Sequence, residues 1–464
     1  MLELISSFAG SMKRSWNSAA ARSKLHSIEA LLRHRYKLSR ILSNIGWLLI
    51  DNVFRLGIGL AMTILLARYL APDQFGLFNY ALAVIALISP VARLGVDNMV
   101  LCDLVKTPSD CDIILGTTFG LRIVSATFVS ALSISLLALL GLAEFQVLMM
   151  IGILSLGVIL RSFETVVFWF QSQIQSKNIV YIRNLALSLS AILQIMLVRK
   201  QAPLFAFTGV LLSEAIFLTV GLIIVYQLYG PGFSRWRFRA DRAKLLLRRG
   251  WPLILSSLAI TIYMKVDQIM LGNILGGEAV GVYSAATRVS EAFYFLPTVL
   301  VSSITPVLVE VRERNTSLYH LHLQRLFSLM IAMGIAVAVI VTLTAAPLIH
   351  GLFSSDYAAA VSILVIHIWA SPFVFLGVAQ GPWDVNEDLQ QLALARFGMG
   401  SIMNIILNLL LIPIYGPIGA TVATVVSYIA INYLANFIHP KTRVISRLQS
   451  KAFIFSQLLP TRSS

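Results

Sequence analysis

The stretch LAPDQFGLFN at residues 70–79 has a counterpart, LGGEAVGVYS, at residues 275–284. Both read leucine, two small or proline residues, an acid, a variable residue, an apolar residue, glycine, an apolar residue, an aromatic residue and a small polar residue. Each copy follows the first apolar segment of a series, and the offset between the copies is 205 residues. A match at corresponding places in two series indicates internal duplication. The repeat therefore predicts a chain built from two similar halves.

The composition indicates whether these halves fold in water or in a lipid bilayer. Apolar residues make up 58% of the 464 residues and charged residues only 12%, against about 25% charged in a typical soluble domain. The mean hydropathy is +0.82. So little polar surface cannot cover domains in water, so a soluble globular protein is excluded and a membrane protein is predicted.

Apolar segments long enough to cross about 30 Å of hydrocarbon define the predicted architecture. They lie at 44–70, 78–101, 113–140, 147–167, 179–198 and 204–228, and then at 251–275, 282–308, 325–349, 358–380, 394–414 and 417–438. The predicted fold is an all-α membrane protein with about twelve transmembrane helices in two six-helix lobes. Because each lobe has an even number of spans, the lobes insert in the same orientation, related by a pseudo-twofold axis along the membrane normal.

The charges outside the spans predict the topology. We divide the chain into a basic amphipathic arm (1–43), an N-lobe (44–228), a basic linker (229–250), a C-lobe (251–438) and a basic tail (439–464). With the arm in the cytoplasm, all loop lysines and arginines except Arg199 and Lys200 fall on the cytoplasmic side, as the positive-inside rule requires. Both termini are therefore predicted to be cytoplasmic. The formal net charge of +15 is assigned to contacts with anionic membrane lipids, and nucleic acid is not expected as a partner.

Five cations inside the predicted spans are candidate substrate-binding residues: Arg55, Arg93, Arg122, Lys265 and Arg288. A central Arg or Lys costs about 2.5–3.5 kcal/mol in hydrocarbon, whereas a Leu or Ile returns only about 0.3–0.6. We therefore expect these side chains to line a water-filled cavity. A guanidinium can bind the oxygens of a diphosphate bidentately, so the predicted ligand of this cavity is a diphosphate.

Four acids lie within four residues of a cation in the same predicted span or at its end: Asp51, Asp97, Asp267 and Glu291. They are predicted to hold Arg55, Arg93, Lys265 and Arg288 in place, or to carry a coupled proton or sodium ion. The alternative for each pair is a self-neutralising contact that only stabilises helix packing. Arg122 has no acid close to it in sequence. No other cofactor and no metal site is expected.

Several further strings carry a family resemblance: LLARYL (65–70), FWFQSQ (168–173), VDQIMLG (266–272) and GVYSAA (281–286). In this order and spacing, from about residue 44 to 438, the chain resembles the Wzx-type flippases, the polysaccharide-export branch of the multidrug/oligosaccharidyl-lipid/polysaccharide transporter superfamily. The resemblance implies a lipid-diphosphate-linked oligosaccharide as cargo. It also implies transfer from the inner to the outer leaflet of a bacterial plasma membrane for surface polysaccharide biosynthesis, with other polysaccharide-assembly proteins as candidate partners.

Two other functions compete with this interpretation. A multidrug or organic-cation exporter of the same fold would be expected to line its cavity with acids rather than cations. A membrane glycan polymerase or ligase would be expected to carry a large loop on the outer side, but no predicted outer loop exceeds about ten residues. The sequence therefore favours a flippase that works by alternating access and is not an enzyme.

Overall fold

The computed structural model describes residues 51–454, and every regular element within that range is a helix. The predicted arm (1–43), the beginning of the first predicted span and the end of the tail lie outside the described residues. Ten helical segments in the described range are long and apolar enough to cross a membrane. The all-α part of the prediction is confirmed, and the number of twelve crossings stays a prediction.

Between residues 51 and 229 the N-terminal half contains eight α-helices. Residues 51–69 belong to the first helix, α1. It is followed by α2 (Pro72–Arg93), α3 (Asp97–Lys106), α4 (Cys111–Leu139), α5 (Phe145–Leu160), α6 (Thr165–Ser172), α7 (Ser176–Arg199) and α8 (Leu204–Tyr229). Pro72 opens α2, where its missing N–H group is not needed for a helical hydrogen bond. Leu94 and Gly95, both with positive φ, separate α2 from α3, so the predicted span at 78–101 is not one continuous helix.

The C-terminal half consists of α9 (Ala240–Leu275), α10 (Gly277–Glu291), α11 (Phe295–Arg314), α12 (Thr316–Leu352), α13 (Ala360–His367), α14 (Ser371–Asn386), α15 (Gln390–Asn432) and α16 (Arg443–Ala452). Helix α9 begins eleven residues before the predicted span at 251–275. The predicted start is too late because the residues at 241–249 are charged enough to be excluded from an apolar segment, although they are helical. The predicted linker is therefore partly helical.

Helix α15 is a hairpin of two antiparallel arms. Gly416 has non-helical backbone angles and lies between Pro413 and Pro417. Beyond the turn, Gly419 lies against the backbone of Leu411, and Ile431 lies against Gly400. These pairings run in opposite directions along the chain, so the arms at 390–415 and 417–432 lie side by side. They correspond to the two predicted spans at 394–414 and 417–438.

The two copies of the sequence repeat are in direct contact. A Cβ atom on Gly76 would overlap the carbonyl oxygen of Gly277, and one on Gly281 would overlap the carbonyl oxygen of Pro72. Gly76 and Gly281 occupy the same position in the two copies, as do Pro72 and Gly277. The contact is therefore reciprocal, as expected for elements related by a pseudo-twofold axis. Only glycine allows two helix backbones to approach so closely. We call this contact between α2 and α10 the crossing.

Further contacts between the halves gather at the same end of the bundle, the crossing end. Arg68 donates through Nε to the carbonyl oxygen of Leu352 at 2.7 Å and also to that of Gly351. The hydroxyl of Tyr357 donates to the carbonyl oxygen of Leu70 at 3.2 Å. At the opposite end, the linker end, Arg242 donates to Asp103 at 2.6 Å, and Gly250 of α9 lies against the carbonyl oxygen of Leu94. The halves are therefore in contact at both ends.

Helix α16 is docked at the linker end of the C-terminal half. Gln449 is buried and donates to Gln380 at 3.1 Å, and Asn436 donates to both of these amides. Beside them, Arg396 and Asp384 form a buried ion pair at 2.8 Å. The described part of the predicted tail is therefore a structural element of this half.

We expect the crossing to tolerate no side chain. The substitution Gly76→Ala should cost about 1–3 kcal/mol of overpacking, which exceeds the gain of about 1 kcal/mol from the better helix propensity of alanine. The midpoint of thermal unfolding of the purified protein in detergent should fall. Gly152→Ala in α5 is the matched control, because a Cβ there meets no atom within 4 Å, and its midpoint should hold or rise. Equal midpoints for the two variants would show that the crossing is not tight.

Candidate functional site

Three adjoining cavities follow α2 from the crossing end to the linker end. The crossing-end cavity has a volume of about 430 Å³ and meets α2 at Phe75, Phe78, Asn79 and Leu82. The middle cavity, of about 360 Å³, meets α2 between residues 82 and 89. The linker-end cavity, of about 260 Å³, meets α2 between residues 89 and 93. Neighbouring cavities share lining residues, so together they form one continuous hollow, which we call the path.

All five predicted cations line this path. Arg55 and Arg288 line the crossing-end cavity, and Arg288 also lines the middle cavity together with Lys265. Arg93 and Arg122 line the linker-end cavity. Most of the wall comes from the N-terminal half, and α9 and α10 contribute the C-terminal side. The structure thus places Arg55, Lys265 and Arg288 where both halves line the hollow. Arg93 and Arg122 lie in the linker-end cavity, whose lining comes from the N-terminal half.

The first ion pair differs from the one predicted. Asp97 pairs with Arg122, not with Arg93. The guanidinium of Arg122 is buried, and its central carbon lies 4.9 Å from the centre of the Phe168 ring. Residues four apart face each other only within one continuous helix. Arg93 ends α2 and Asp97 begins α3, so the break between them removes the predicted geometry. Arg122, for which the sequence offers no nearby acid, takes the carboxylate instead.

The second predicted pairing, between Glu291 and Arg288, is also wrong, because a residue on another helix takes the carboxylate. Glu291 accepts from the Nζ atom of Lys265 at 3.0 and 3.2 Å, and Arg288 is not its partner. This contact joins α9 to the end of α10, which no local spacing reveals. Within residues 51–454 it leaves Arg288 without an ion pair, facing the two cavities.

The remaining two predicted acids do not line the cavities. Asp267 is buried within the C-terminal half and accepts from the hydroxyl of Tyr283, from Thr424 at 3.2 Å and from the backbone N–H of Gln268 at 2.8 Å. It does not pair with Lys265, because residues two apart on a helix do not face each other. Asp51 is 3% exposed, and its Oδ1 atom has no hydrogen-bond partner within the described range.

Four further charged residues line the path and were not predicted as site residues: Arg161, Arg183, Glu164 and Glu214. Arg161 lines both the linker-end and the middle cavity. The signal was present in the sequence, because an ionisable residue inside an apolar span indicates a functional site. In the sequence, Arg161, Glu164 and Arg183 interrupt the apolar residues of the predicted spans. These charged residues can be accommodated there because their side chains line the cavity.

The path carries an excess of positive charge. Seven cations line it against four carboxylates. Two of the cations, Arg122 and Lys265, are paired with carboxylates. The other five make no ion pair with any residue in the range 51–454. In the C-terminal half, by contrast, the cavity beside α16 measures about 160 Å³, and its Arg396 is neutralised by Asp384. Of the five cations without an ion pair in the described range, four therefore lie on the N-terminal half and Arg288 lies on the C-terminal half.

Comparison with known proteins identifies the family. Residues 41–312 match the family described as "Polysaccharide biosynthesis protein". The match covers more than half of the chain, so the chain belongs to this family.

Two curated relatives and two solved structures are similar to the chain. The "Probable flippase AglR" of Haloferax volcanii is 30% identical over 223 residues, which cover 45% of this chain and 44% of that protein. The "Succinoglycan biosynthesis transport protein ExoT" of Rhizobium meliloti is 22% identical over 336 residues, which cover 72% of this chain and 64% of that protein. The chain thus matches 44% and 64% of the length of these two relatives.

The structural likeness concerns the fold. The lipid II flippase MurJ in an inward closed conformation aligns with a TM-score of 0.66 and 15% identity, over 87% of this chain and 90% of that one. An inward-facing multidrug resistance transporter of the MATE family aligns with a TM-score of 0.67 and 15% identity, over 88% and 99%. The predicted two-lobe membrane fold is confirmed by these likenesses.

Proposed function

We propose that this protein is a flippase that moves a lipid-diphosphate-linked oligosaccharide across a membrane by alternating access. The observation that carries the proposal is the hollow formed by the three adjoining cavities, lined by five cations without a carboxylate partner in the described range. Charged groups are costly at membrane depth unless water or a ligand of opposite charge reaches them. An anionic headgroup meets that requirement.

The crossing-end cavity fits the lipid-diphosphate part of this cargo. Arg55 and Arg288 lie on opposite halves of the molecule, and both can donate paired hydrogen bonds to phosphate oxygens. The rest of the wall is largely apolar, with Leu56, Leu60 and Phe78 among its members. A diphosphate bound by both arginines would link the two halves. In the next step of alternating access, the halves would separate at the crossing, and the cavity would then open at the crossing end.

The two alternative functions fit the cavity less well. An exporter of organic cations would place its cargo among seven cations and only four carboxylates, and this excess of positive charge repels it. A glycan polymerase or ligase needs a catalytic domain outside the membrane, whereas the connections at the crossing end in the described range are short, such as residues 140–144 and 200–203. The curated relatives are named as a flippase and a transport protein, which supports transport rather than catalysis.

We expect Arg55→Ala or Arg288→Ala to abolish export of the lipid-linked glycan while the protein still inserts in the membrane. Loss of a charge-assisted hydrogen bond of about 1.5–3 kcal/mol reduces binding by about tenfold or more, and Arg→Lys should restore it only in part because a lysine cannot bind bidentately. The measurement is surface glycan in cells lacking the native protein, with Arg314→Ala as control, because Arg314 is exposed at the end of α11. Normal export by both alanine variants would remove these residues from the mechanism.

We further propose that Asp267 carries the coupled ion, a proton or sodium. Its carboxylate is buried in the C-terminal half with the hydroxyls of Tyr283 and Thr424, and oxygen atoms of this kind suit either ion. It lies two residues from Lys265, whose ion pair with Glu291 faces the path. A change of charge at Asp267 would therefore alter the electrostatic potential at the substrate site.

In proteoliposomes, Asp267→Asn should abolish the acceleration of flipping by an imposed gradient while exchange without a gradient continues. Separate proton and sodium gradients identify the ion. Asp356→Asn, in the connection after α12 at the crossing end, is the control and should respond like the wild-type protein. A full gradient response by Asp267→Asn would exclude Asp267 as the ion carrier.

We propose that the membrane is a bacterial plasma membrane and that the linker end lies in the cytoplasm. The ten apolar helices of the described range make the chain a multi-pass membrane protein. Basic residues gather at the linker end, on residues 235–249 and on α16. The positive-inside rule assigns such an end to the cytoplasm.

The two native cysteines test this orientation. Cys102 is exposed and lies on α3 at the linker end, and Cys111 is partly buried at the start of α4. In intact cells, an impermeant maleimide should label neither, and permeabilisation should make Cys102 reactive. A Glu144→Cys variant that lacks both native cysteines should be labelled in intact cells, because residue 144 is exposed at the crossing end. The reverse pattern would invert the topology.

A further inference from the structure

We propose that Arg68 and Asn273 form a gate that holds the two halves together at the crossing end and must open before cargo can leave on that side. The two residues occupy the same position in the two copies of the sequence repeat, 205 residues apart. The inference rests on the alternating access of the proposed function, but it is independent of which anion the path binds.

Arg68 contacts the carboxyl end of α12 on the other half. Its guanidinium donates to the carbonyl oxygens of Gly351 and Leu352, the second at 2.7 Å, and Leu352 is the last residue of this helix. The last four carbonyl groups of a helix have no partner within the helix, and the helix dipole places partial negative charge there. A guanidinium therefore fits this end without a carboxylate, and its hydrogen bonds are charge-assisted.

The neighbouring Tyr69 fixes Arg68 to its own half. The hydroxyl of Tyr69 donates to the carbonyl oxygen of Ala202 at 2.8 Å, and the centre of its ring lies 5.5 Å from that of Phe207. Both partners belong to the N-terminal half, in α8 and the turn before it. Because the end of α1 is held there, Arg68 cannot follow α12 when the halves separate. The string LLARYL thus contributes one contact to each half.

Asn273 makes the reciprocal contact from the C-terminal half. Its Oδ1 atom accepts from the hydroxyl of Tyr80, on α2, at 3.0 Å. The same hydroxyl lies 3.2 Å from the carbonyl oxygen of Leu142 in its own half. A hydroxyl has one hydrogen to donate, so it bonds fully to only one of these acceptors at a time. When Asn273 moves away, Leu142 remains as the acceptor, and the hydroxyl is not left unpaired.

The contacts of the gate can open and close repeatedly. Arg68 and Asn273 are exposed, so water can replace their partners when the halves separate. The ion pair of Arg396 and Asp384 is buried instead, and breaking it would leave an unpaired charge away from water. Exposed contacts therefore suit an interface that opens in each transport cycle, whereas the buried pair suits the rigid interior of one half.

Two spin labels report the separation of the halves at the crossing end. Glu144 is exposed in the connection before α5, and Tyr415 is 62% exposed at the turn of α15, which lies against Leu275 at the end of α9. Both are replaced by cysteine in a protein that lacks Cys102 and Cys111. In nanodiscs, double electron–electron resonance then measures a short distance for the closed end and a longer distance when it opens.

Variants of the gate should open this end in the absence of cargo. Arg68→Gln should raise the ratio of long to short distances by about tenfold, as expected for the loss of a charge-assisted hydrogen bond. Arg68→Lys should give a smaller rise, because an ammonium keeps the charge but not the paired donors. Asn273→Ala should also give a smaller rise, since Tyr80 keeps Leu142 as acceptor. Arg199→Gln is the matched control, because Arg199 is exposed at the same end of the same half, and it should leave the ratio unchanged.

The same variants distinguish a gate from a contact that only stabilises the fold. A fold-stabilising role would lower the midpoint of thermal unfolding and leave a single short distance in each folded variant, and this result would overturn the gate. If Arg68→Gln does not fold, Arg68→Lys and Asn273→Ala decide the question in the same way.

A polyprenyl-diphosphate-linked trisaccharide, added to the doubly labelled protein with no gate substitution, separates this inference from the proposed function. A rise in the long distance with this probe, but not with the gate variants, would support alternating access and overturn the gate. A rise with the variants, but not with the probe, would support the gate and contradict the proposed cargo. A short distance alone under both conditions would overturn both.

Discussion

The close approach of two helix backbones at Gly76, Gly277 and Gly281 determines how the two halves meet. Without a hydrophobic force between helices in lipid, association depends on van der Waals contact and hydrogen bonds, and small residues bring both within range. Arg68 and Tyr357 then donate to main-chain carbonyls across the same contact. The crossing-end and middle cavities of the charged path lie beside this contact and are lined by both halves.

The distribution of charge follows from this geometry. A cation buried between tightly packed helices needs a carboxylate, as Arg396 has in Asp384. A cation beside a hollow can remain unpaired because water or a ligand solvates it. Arg55, Arg93, Arg161, Arg183 and Arg288 are in the second situation within residues 51–454, whereas Arg122 and Lys265 combine a paired acid with a place on the wall. The cavity wall thus contains two cations held in ion pairs and five guanidinium groups that are available to a ligand.

Much of the fold could be predicted from the sequence, because the period and length of apolar segments and the internal repeat are local signals. The repeat indicated related halves, although not that its two copies touch. The cost of charge in lipid predicted that Arg55 and Arg288 face a hollow. The partners of Asp97 and Glu291 could not be predicted, since the ion pairs with Arg122 and Lys265 join residues 25 and 26 positions apart on different helices. Arg161 and Arg183 were visible as charges in apolar spans, but their convergence on one cavity depends on how three helices pack.

The continuity of α9 has a mechanical consequence. Its 36 residues form a rod about 54 Å long, and this rod is fastened to both halves. Arg242 near its start holds Asp103 of the N-terminal half, while the carbonyl of Ala259 accepts from Ser401 of the C-terminal half at 2.7 Å. A straight, rigid helix cannot stay bound to both halves if they rotate relative to each other. Such a rotation must therefore bend α9 between Arg242 and Ala259. Pro252, which lacks the N–H group of a helical hydrogen bond, lies in that interval and is the expected bending point of the helix.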